Sequence, residues 1–471
     1  MTFVRVIIAT VAAAALTAHP QSAAAPSVQV LRNTLVDAQA VYFVSYDGLV
    51  NQATFQQDGI LTHGAHQYAA WYTADRSAMI ARRAYAGAAQ PGPWQTVKLP
   101  HRLTVNDSHN VISLGVSRQD GRLHVAMDTH NSAVHYVRSA PGLIAAQNAP
   151  AWTLSQFGPV QRALDGVALG DITYPQFLAT PEGRLQLSYR TGGSGNGTNE
   201  LAEYHNGAWT RLGRWQSASG TYTTAHGTST TRNMYLHGLD YGPSGRLHAA
   251  YTWREGNFGV VCSAGGISNH DTGHVHSDDR GRTWKTRDGA TAAVTGTGTQ
   301  VSIGTPNQVV DPLNPDHALM NQEAQAVDSQ GRPHVLISYV PGRFTQCVTD
   351  FAAGRRAYAR NFHLRQLADG TWRKVEVTVP LQAFGRSRLV LDARDNAYVI
   401  MPGGRIVAAS AASGWTDWTL RYDAAGLNAF GEIDVDDSAA RTTGVISLAY
   451  QERSTGTTPS PLRVLDVRLL G

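Results

Sequence analysis

The sequence predicts an all-β fold, a seven-bladed β-propeller of four-stranded antiparallel blades. Three observations carry this expectation. A hairpin recurs along the chain; its second strand returns at intervals of roughly 50 to 85 residues with no convincing helix between copies; and tryptophans punctuate the outer part of each unit.

The hairpin reads most clearly in VNDSHNVISLGVSRQDGRLHVAMDTH (105–130), where an apolar strand, a turn containing Asp-Gly and a strand of alternating character follow one another. It returns as DITYPQFLATPEGRLQLSYR (171–190) and as TRNMYLHGLDYGPSGRLHAAYTWRE (231–255), each keeping Gly-Arg-Leu at the start of the second strand. Second strands are read at HQYAAWY (66–72), RLHVAMD (122–128), RLQLSYR (184–190), RLHAAYT (246–252), RPHVLISY (332–339), NAYVIM (396–401) and GVISLAY (444–450). The segment 289–308 reads as a polar loop or cap. Ring closure is expected from RVLDVRLL (463–470) pairing with an N-terminal strand near VYFVSYDG (41–48).

Trp94, Trp152, Trp209, Trp284, Trp372 and then Trp415 or Trp418 are read as packing between neighbouring sheets, because regular spacing is what packing demands. SDDRGRTW (277–284) fits the Asp-box turn of sialidase-like propellers, a motif that speaks for the fold and is nearly silent about chemistry. The glycine cluster TGGSGNG (191–197) follows a strand, but no helix comes after it to supply free amides to a phosphate, so it reads as a hairpin loop.

In an antiparallel hairpin, the start of the first strand and the end of the second lie at the same end. First-strand starts supply His109, Tyr174 and Tyr235, and second-strand ends supply His130, Arg190, Trp253 and Arg254. All seven are therefore expected at one opening, as an acid–base set. His66, His124, His248 and His334, within second strands, read as structural.

With 471 residues, 42% of them hydrophobic, the chain can bury a large core. Length alone suggests two or three domains, but the repeats favour one propeller over residues 26–471. A net charge of +4 with no run of Lys or Arg argues against a nucleic-acid groove. Residues 1–25 read as a secretory signal: Arg5, an apolar stretch over 6–18, and Ala23-Ala24-Ala25 for cleavage. No other segment approaches the roughly 20 apolar residues that span a bilayer. A secreted, extracellular monomer without membrane contact is expected. Cys262 and Cys347 could pair in an oxidising compartment. Alternatively, Cys262 with His270, His274 and His276 could hold a structural zinc, although the spacing matches no standard finger.

The rim set suits one reaction well. A uronic acid substituted at C4 can lose its C5 proton when a cation neutralises the carboxylate, a base takes the proton and an acid protonates the departing oxygen. Arginine suits the first task because it stays charged and matches a carboxylate. Histidine and tyrosine suit the others. In a glucuronate the C5 proton and the C4 oxygen lie on one ring face, so one side chain or two adjacent ones can serve both.

FQQDG (55–59), SHNVISLG (108–115), RLHVAMDTHN (122–131), TYPQFL (173–178), SYRTGGSGNG (188–197), RNMYLHGLDYGPSGRLH (232–248) and TWRE (252–255) carry a family resemblance. Over roughly residues 40 to 380 the chain resembles secreted BNR-repeat propellers, and in particular the L-rhamnose-α-1,4-D-glucuronate lyases (polysaccharide lyase family 42), which act on gum arabic side chains. More distantly it is similar to ulvan lyases. The resemblance implies that His130 is the main acid–base residue, His109 its neighbour, Tyr174 a partner in proton transfer and Arg190 the neutraliser. Tyr235, Arg254, Trp253 and Arg232 would hold an acidic polysaccharide. It implies no cofactor for the chemistry and allows a structural calcium in the central channel, preferred here over zinc. Residues 256–276 look longer than the family's usual link.

Competing readings are an α-L-rhamnosidase on the same linkage and a non-catalytic carbohydrate-binding propeller. Hydrolysis must activate water, normally through paired carboxylates that the sequence does not offer. A sialidase is disfavoured because neither the Phe/Tyr-Arg-Ile-Pro sequence nor a tyrosine–glutamate nucleophile beside an arginine triad is found.

Overall fold

The computed structural model describes Met1 and residues 25–144 and 150–471, apart from 86 and 88. The expected secretory signal lies almost wholly outside the described residues.

The described strands fall into seven sheets, and each expected second strand lies in a sheet of its own. Period-2 alternation gives each sheet two apolar faces. Apolar clusters fill the space between successive sheets. One joins Tyr68 and Ile80 to Leu123 and Val125, the next joins Ala126 and Tyr136 to Leu187 and Tyr204, and so on round to Ile60 and Trp71 against Ala449 and Val464. The molecule is thus an all-β propeller.

Blade architecture departs from expectation. Six sheets, rather than seven, have the four or more strands of a full blade. The remaining sheet has three: Ser113–Ser117, Arg122–Met127 and His135–Arg138. Where its fourth strand would run, isolated bridges Tyr136↔Gln161 and Ser139↔Phe157 hold irregular chain instead. The short strand Ser132–Ala133 leaves this unit and pairs with Asp171 and Ile172 of the next sheet. The expected cap at 289–308 is partly strand, since Thr291–Val294 extends the fourth sheet beside Thr283–Lys285. One helix, Phe351–Tyr358, follows the fifth second strand; Asp350 caps it by accepting from the Ala353 amide at 2.9 Å.

The ring closes as a sheet in which Ser460–Leu470 pairs with Ser27–Ala40. Residues 41–48, expected to supply that strand, form a loop and a tight turn instead. The closing strand is hard to read because register shifts after Val30, Leu35 and Asp37 interrupt its alternation.

Tryptophans pack between sheets as expected, and several meet an aromatic residue of the preceding unit. Trp209 lies 5.7 Å from His124, Trp372 lies 5.2 Å from His274 and Trp415 lies 4.7 Å from His334, between ring centroids. The second-strand histidines His124, His248 and His334 are accordingly buried. The Asp box forms its turn on the outer hairpin of the fourth sheet: Asp279 accepts from the Thr283 amide at 2.7 Å, and Trp284 is fully buried.

Cys262 and Cys347 form a disulfide across a sequence separation of 85. It ties the long 256–268 segment to the chain entering the helix. Cross-linking a loop of this length restricts the unfolded chain by about 4 to 5 kcal/mol in the chain-entropy account. Replacing both cysteines by serine should remove stability of that order, read as a lower urea midpoint.

Candidate active site

At one mouth of the ring lies a cavity of about 360 Å³. His109, His130, Tyr174, Arg190, Tyr235 and Arg254 all line it, so six of the seven side chains expected at one opening meet there. The hairpin argument works because strand ends from neighbouring sheets converge on the channel mouth.

Asp107, which the sequence reading passed over, organises the histidines. Its Oδ1 lies 2.6 Å from His109 Nδ1 and its Oδ2 lies 2.7 Å from His130 Nδ1. The His109 amide also donates to Oδ1 at 2.9 Å. Burial opposes ionisation of this carboxyl, but the hydrogen bonds from His109 and His130 outweigh it and hold its pKa far below the usual carboxylate range. An ionised Asp107 accepts from both Nδ1–H groups, which leaves both Nε2 atoms as lone pairs. The imidazoles stack with centroids 4.3 Å apart, and Phe55 covers the other face of His109 at 4.8 Å. Burial, only partly offset by Asp107 and reinforced by His130 and Arg386, lowers the His109 pKa below its ordinary value. The Asp-x-His spacing of Asp107 and His109 was the available signal.

Tyr174 sits at φ 57°, in the left-handed region, immediately before Pro175. The ladder between Asp171–Ala179 and Leu185–Gly193 slips between Thr173 and Gln176. This bulge re-aims the phenol toward the opening. Burial pushes the Tyr174 pKa upward. Among the described residues no hydrogen bond engages its hydroxyl. The Arg190 guanidinium lies 5.0 Å from the Tyr174 ring centre. It donates to Asn131 Oδ1 and Thr173 Oγ1, both at 3.2 Å, and to Tyr235 Oη at 3.4 Å. The Asn131 amide donates to Thr173 Oγ1 at 2.9 Å, which docks the His130 loop beside Arg190.

Tyr235 lies between two guanidiniums: Arg254 is 5.0 Å and Arg190 5.9 Å from its ring centre. Burial raises its pKa, but Arg254 and Arg190 outweigh that and bring it down to about 8. The Tyr235 hydroxyl and Arg254 Nη1 both donate to Ser194 Oγ at 3.2 Å. Ser194 comes from the glycine cluster, which is a tight hairpin rather than a loose loop. Gly195 there has φ +73° and lies so close to Gly256 that a Cβ would clash.

Two expected substrate-holding residues are corrected. Trp253 is fully buried in the apolar cluster with Tyr251 and Trp284, because it alternates with Arg254 and so faces away from the mouth. Arg232 is likewise buried and gives two hydrogen bonds to Glu255, at 2.8 and 3.0 Å. Removing one partner of a buried ion pair costs about 3–5 kcal/mol. Arg232→Ala should therefore lower the thermal midpoint sharply while the molecules that stay folded keep their KM.

The expected zinc set does not assemble. Cys262 is in the disulfide, and His270 is held by Glu255 and Asp271, both at 3.0 Å. His274 accepts from or donates to His248 at 3.1 Å. Among the described residues, two other groups place ligand atoms within 4.8 Å of one another: Asp107, His109, His130 and His101, Asp128, His135. In the first, both Nδ1 atoms are engaged by Asp107. In the second, Asp128 already accepts from the Thr104 amide and His101 Nε2 lies 3.0 Å from it.

Ring and pocket together define a β-propeller with an acid–base and cationic site at its mouth. The chain belongs to the BNR repeat-containing family, whose model matches residues 66–379. It is 27% identical over 186 residues to a long-isoform ulvan lyase of Alteromonas sp., covering 31% of this chain and 18% of that protein. A long-isoform ulvan lyase of Pseudoalteromonas sp. (strain PLSV) is 26% identical over 185 residues, with the same coverage. The chain thus spans under a fifth of the length of these curated relatives. Among solved structures, the polysaccharide lyase Uly1 superposes with a TM-score of 0.68 at 16% identity, over 94% of this chain and 99% of that one. A family 25 ulvan lyase bound to -[GlcA(1-4)Rha3S]- gives a TM-score of 0.62 at 12% identity, over 92% and 96%. These superpositions speak for the fold.

Proposed function

We propose that the protein is a secreted polysaccharide lyase that cleaves the L-rhamnose-α-1,4-D-glucuronate linkage by β-elimination. In this reading it acts at side-chain ends of acidic plant glycans such as gum arabic, releases L-rhamnose and leaves a 4,5-unsaturated uronate. The carrying observation is Asp107 engaging both imidazoles through Nδ1, which leaves both Nε2 lone pairs free, in a cavity that Arg190 and Arg254 also line. Arg190 and Arg254 take the uronate carboxylate, which acidifies the C5 proton. His130 Nε2 removes that proton, with His109 beside it. The Tyr174 hydroxyl, kept protonated by its raised pKa, donates to the C4 oxygen as the C4–O bond breaks. Tyr235 and Ser194 orient Arg190 and Arg254.

A second substrate is equally supported. A polymer alternating glucuronate with sulfated rhamnose also contains a rhamnose-to-glucuronate bond, and the relatives named above are ulvan lyases. Both polymers present the same chemistry, at chain ends or internally. Incubating the protein with gum arabic and with ulvan separates them. New absorbance of an unsaturated uronate with free rhamnose supports the side-chain reading, and absorbance with shortened ulvan supports the other. Free rhamnose without absorbance would make the protein a hydrolase, and no product from either polymer would remove the lyase reading.

The pH profile follows from the same groups. Below its lowered pKa His109 takes up a proton in the Asp107-held pair, which sets a positive charge against the base, so kcat/KM should rise with pH through a limb below 6.5. Near pH 8 Tyr235 ionises, and its phenolate competes with the substrate carboxylate for Arg190 and Arg254. The alkaline limb should therefore appear in KM, and Tyr235→Phe should abolish it.

A further inference from the structure

We propose that Tyr46 is a stacking platform for the sugar ring next to the one that reacts, which gives the pocket a subsite for a uronate-containing chain longer than a disaccharide. This rests on the lyase reading and extends it to a residue that the chemistry does not use. Tyr46 lines the cavity, yet it is 71% exposed, the most exposed aromatic side chain among the described residues. Its neighbour Val44 is 48% exposed as well. Apolar surface left in water beside a pocket marks a place where a ligand settles.

The backbone presents this ring at a conformational cost. Ser45 and Gly48 exchange hydrogen bonds, 3.1 Å from the Ser45 amide and 2.9 Å from the Gly48 amide. Between them Tyr46 has φ 49° and Asp47 φ 57°. A two-residue turn with both centres left-handed is the natural place for Asn-Gly, and a bulky aromatic there is out of keeping with the backbone. Both flanks are nevertheless fixed. The Ser108 amide donates to Ser45 Oγ at 2.9 Å and Ser108 Oγ donates to Ser45 O at 2.7 Å. On the other side Arg356 Nη2, from the helix, donates to Asp47 Oδ1 at 2.7 Å. A strained turn held from two sides places the ring rather than letting it wander.

The direction of the ring follows from its contact. Tyr46 meets His109 edge-to-face, 4.6 Å between centroids at 72°. Both faces of His109 are already covered, by Phe55 and His130, so its edge meets one face of Tyr46. The opposite tyrosine face is open. A pyranose laid on it sits one ring further from His109 than the reacting uronate, with its C–H groups on the aromatic face and its hydroxyls free.

The test uses the full protein with uronate–rhamnose oligosaccharides of two, four and six rings, cut from ulvan and from gum arabic. Tyr46→Ala should raise KM for four and six rings by about ten-fold more than for two rings, and Tyr46→Trp should restore the preference for longer chains. An equal loss at every length would reduce Tyr46 to a prop for His109, and no loss at all would leave it without a role; either overturns the proposal while the lyase reading stands. Calorimetric binding of the four-ring oligosaccharide to His130→Ala, with and without Tyr46→Ala, separates the two ideas. Weaker binding by the double variant supports the subsite even if neither polymer is cleaved. Equal binding, or no binding by His130→Ala itself, overturns it.

Discussion

Asp107→Asn should lower kcat by about 10²- to 10⁴-fold with little change in the urea midpoint. The carboxylate serves two imidazoles at once, Oδ1 for His109 and Oδ2 for His130. A carboxamide keeps the shape but accepts on one side and donates on the other. The imidazole facing its NH₂ must offer Nδ1 as an acceptor, which moves its proton to Nε2 and turns a base toward the cavity into a donor. One histidine is thus silenced whichever way the amide settles. The change also removes the negative charge that steadies a protonated imidazole after it takes the substrate proton. Single-turnover rates and a ¹⁵N tautomer assignment of the two rings check this. Wild-type-like turnover would sink the assigned role of Asp107.

Arg190→Lys should cost about 10²- to 10³-fold in kcat/KM although the charge is kept. The guanidinium reaches Asn131, Thr173 and Tyr235 from one planar group. An ammonium has a single nitrogen, so it cannot hold all three and also meet a carboxylate. Because Asn131 and Thr173 dock the His130 loop, the loss should fall on kcat as well as KM. A change confined to KM would mean that Arg190 merely attracts the substrate.

Much of this site was legible because it rests on strand ends, where a period of two and a hairpin's antiparallel sense fix direction. His109, His130, Tyr174, Arg190, Tyr235 and Arg254 follow from that rule. The same rule, applied one residue too far, put Trp253 beside Arg254, although alternation sends it into the core. Arg232 failed for a related reason: a buried arginine at a strand end reads like a pocket cation until its pairing with Glu255 is seen. Asp107 offered only its Asp-x-His spacing, and Phe55, Tyr46 and Arg386 were not legible. They sit on loops with no periodicity, and the last stands over the Phe55 ring at 4.6 Å from a loop more than 300 residues further along the chain. The missing fourth strand in the second unit was invisible because strand pairing depends on partners, not on local pattern alone.

The closing sheet bears on how the molecule is made. Arg32 reaches Asp466 at 2.6 Å across 434 positions of sequence, so the circle stays open until the strand Ser460–Leu470 has left the ribosome. Such a distant pairing forms slowly, because a very long loop must close before any of its contacts repay the lost entropy. Until then the first strand and the outer edge of the last sheet wait as unpaired edges, the part of this architecture most exposed to mispairing with a second nascent copy.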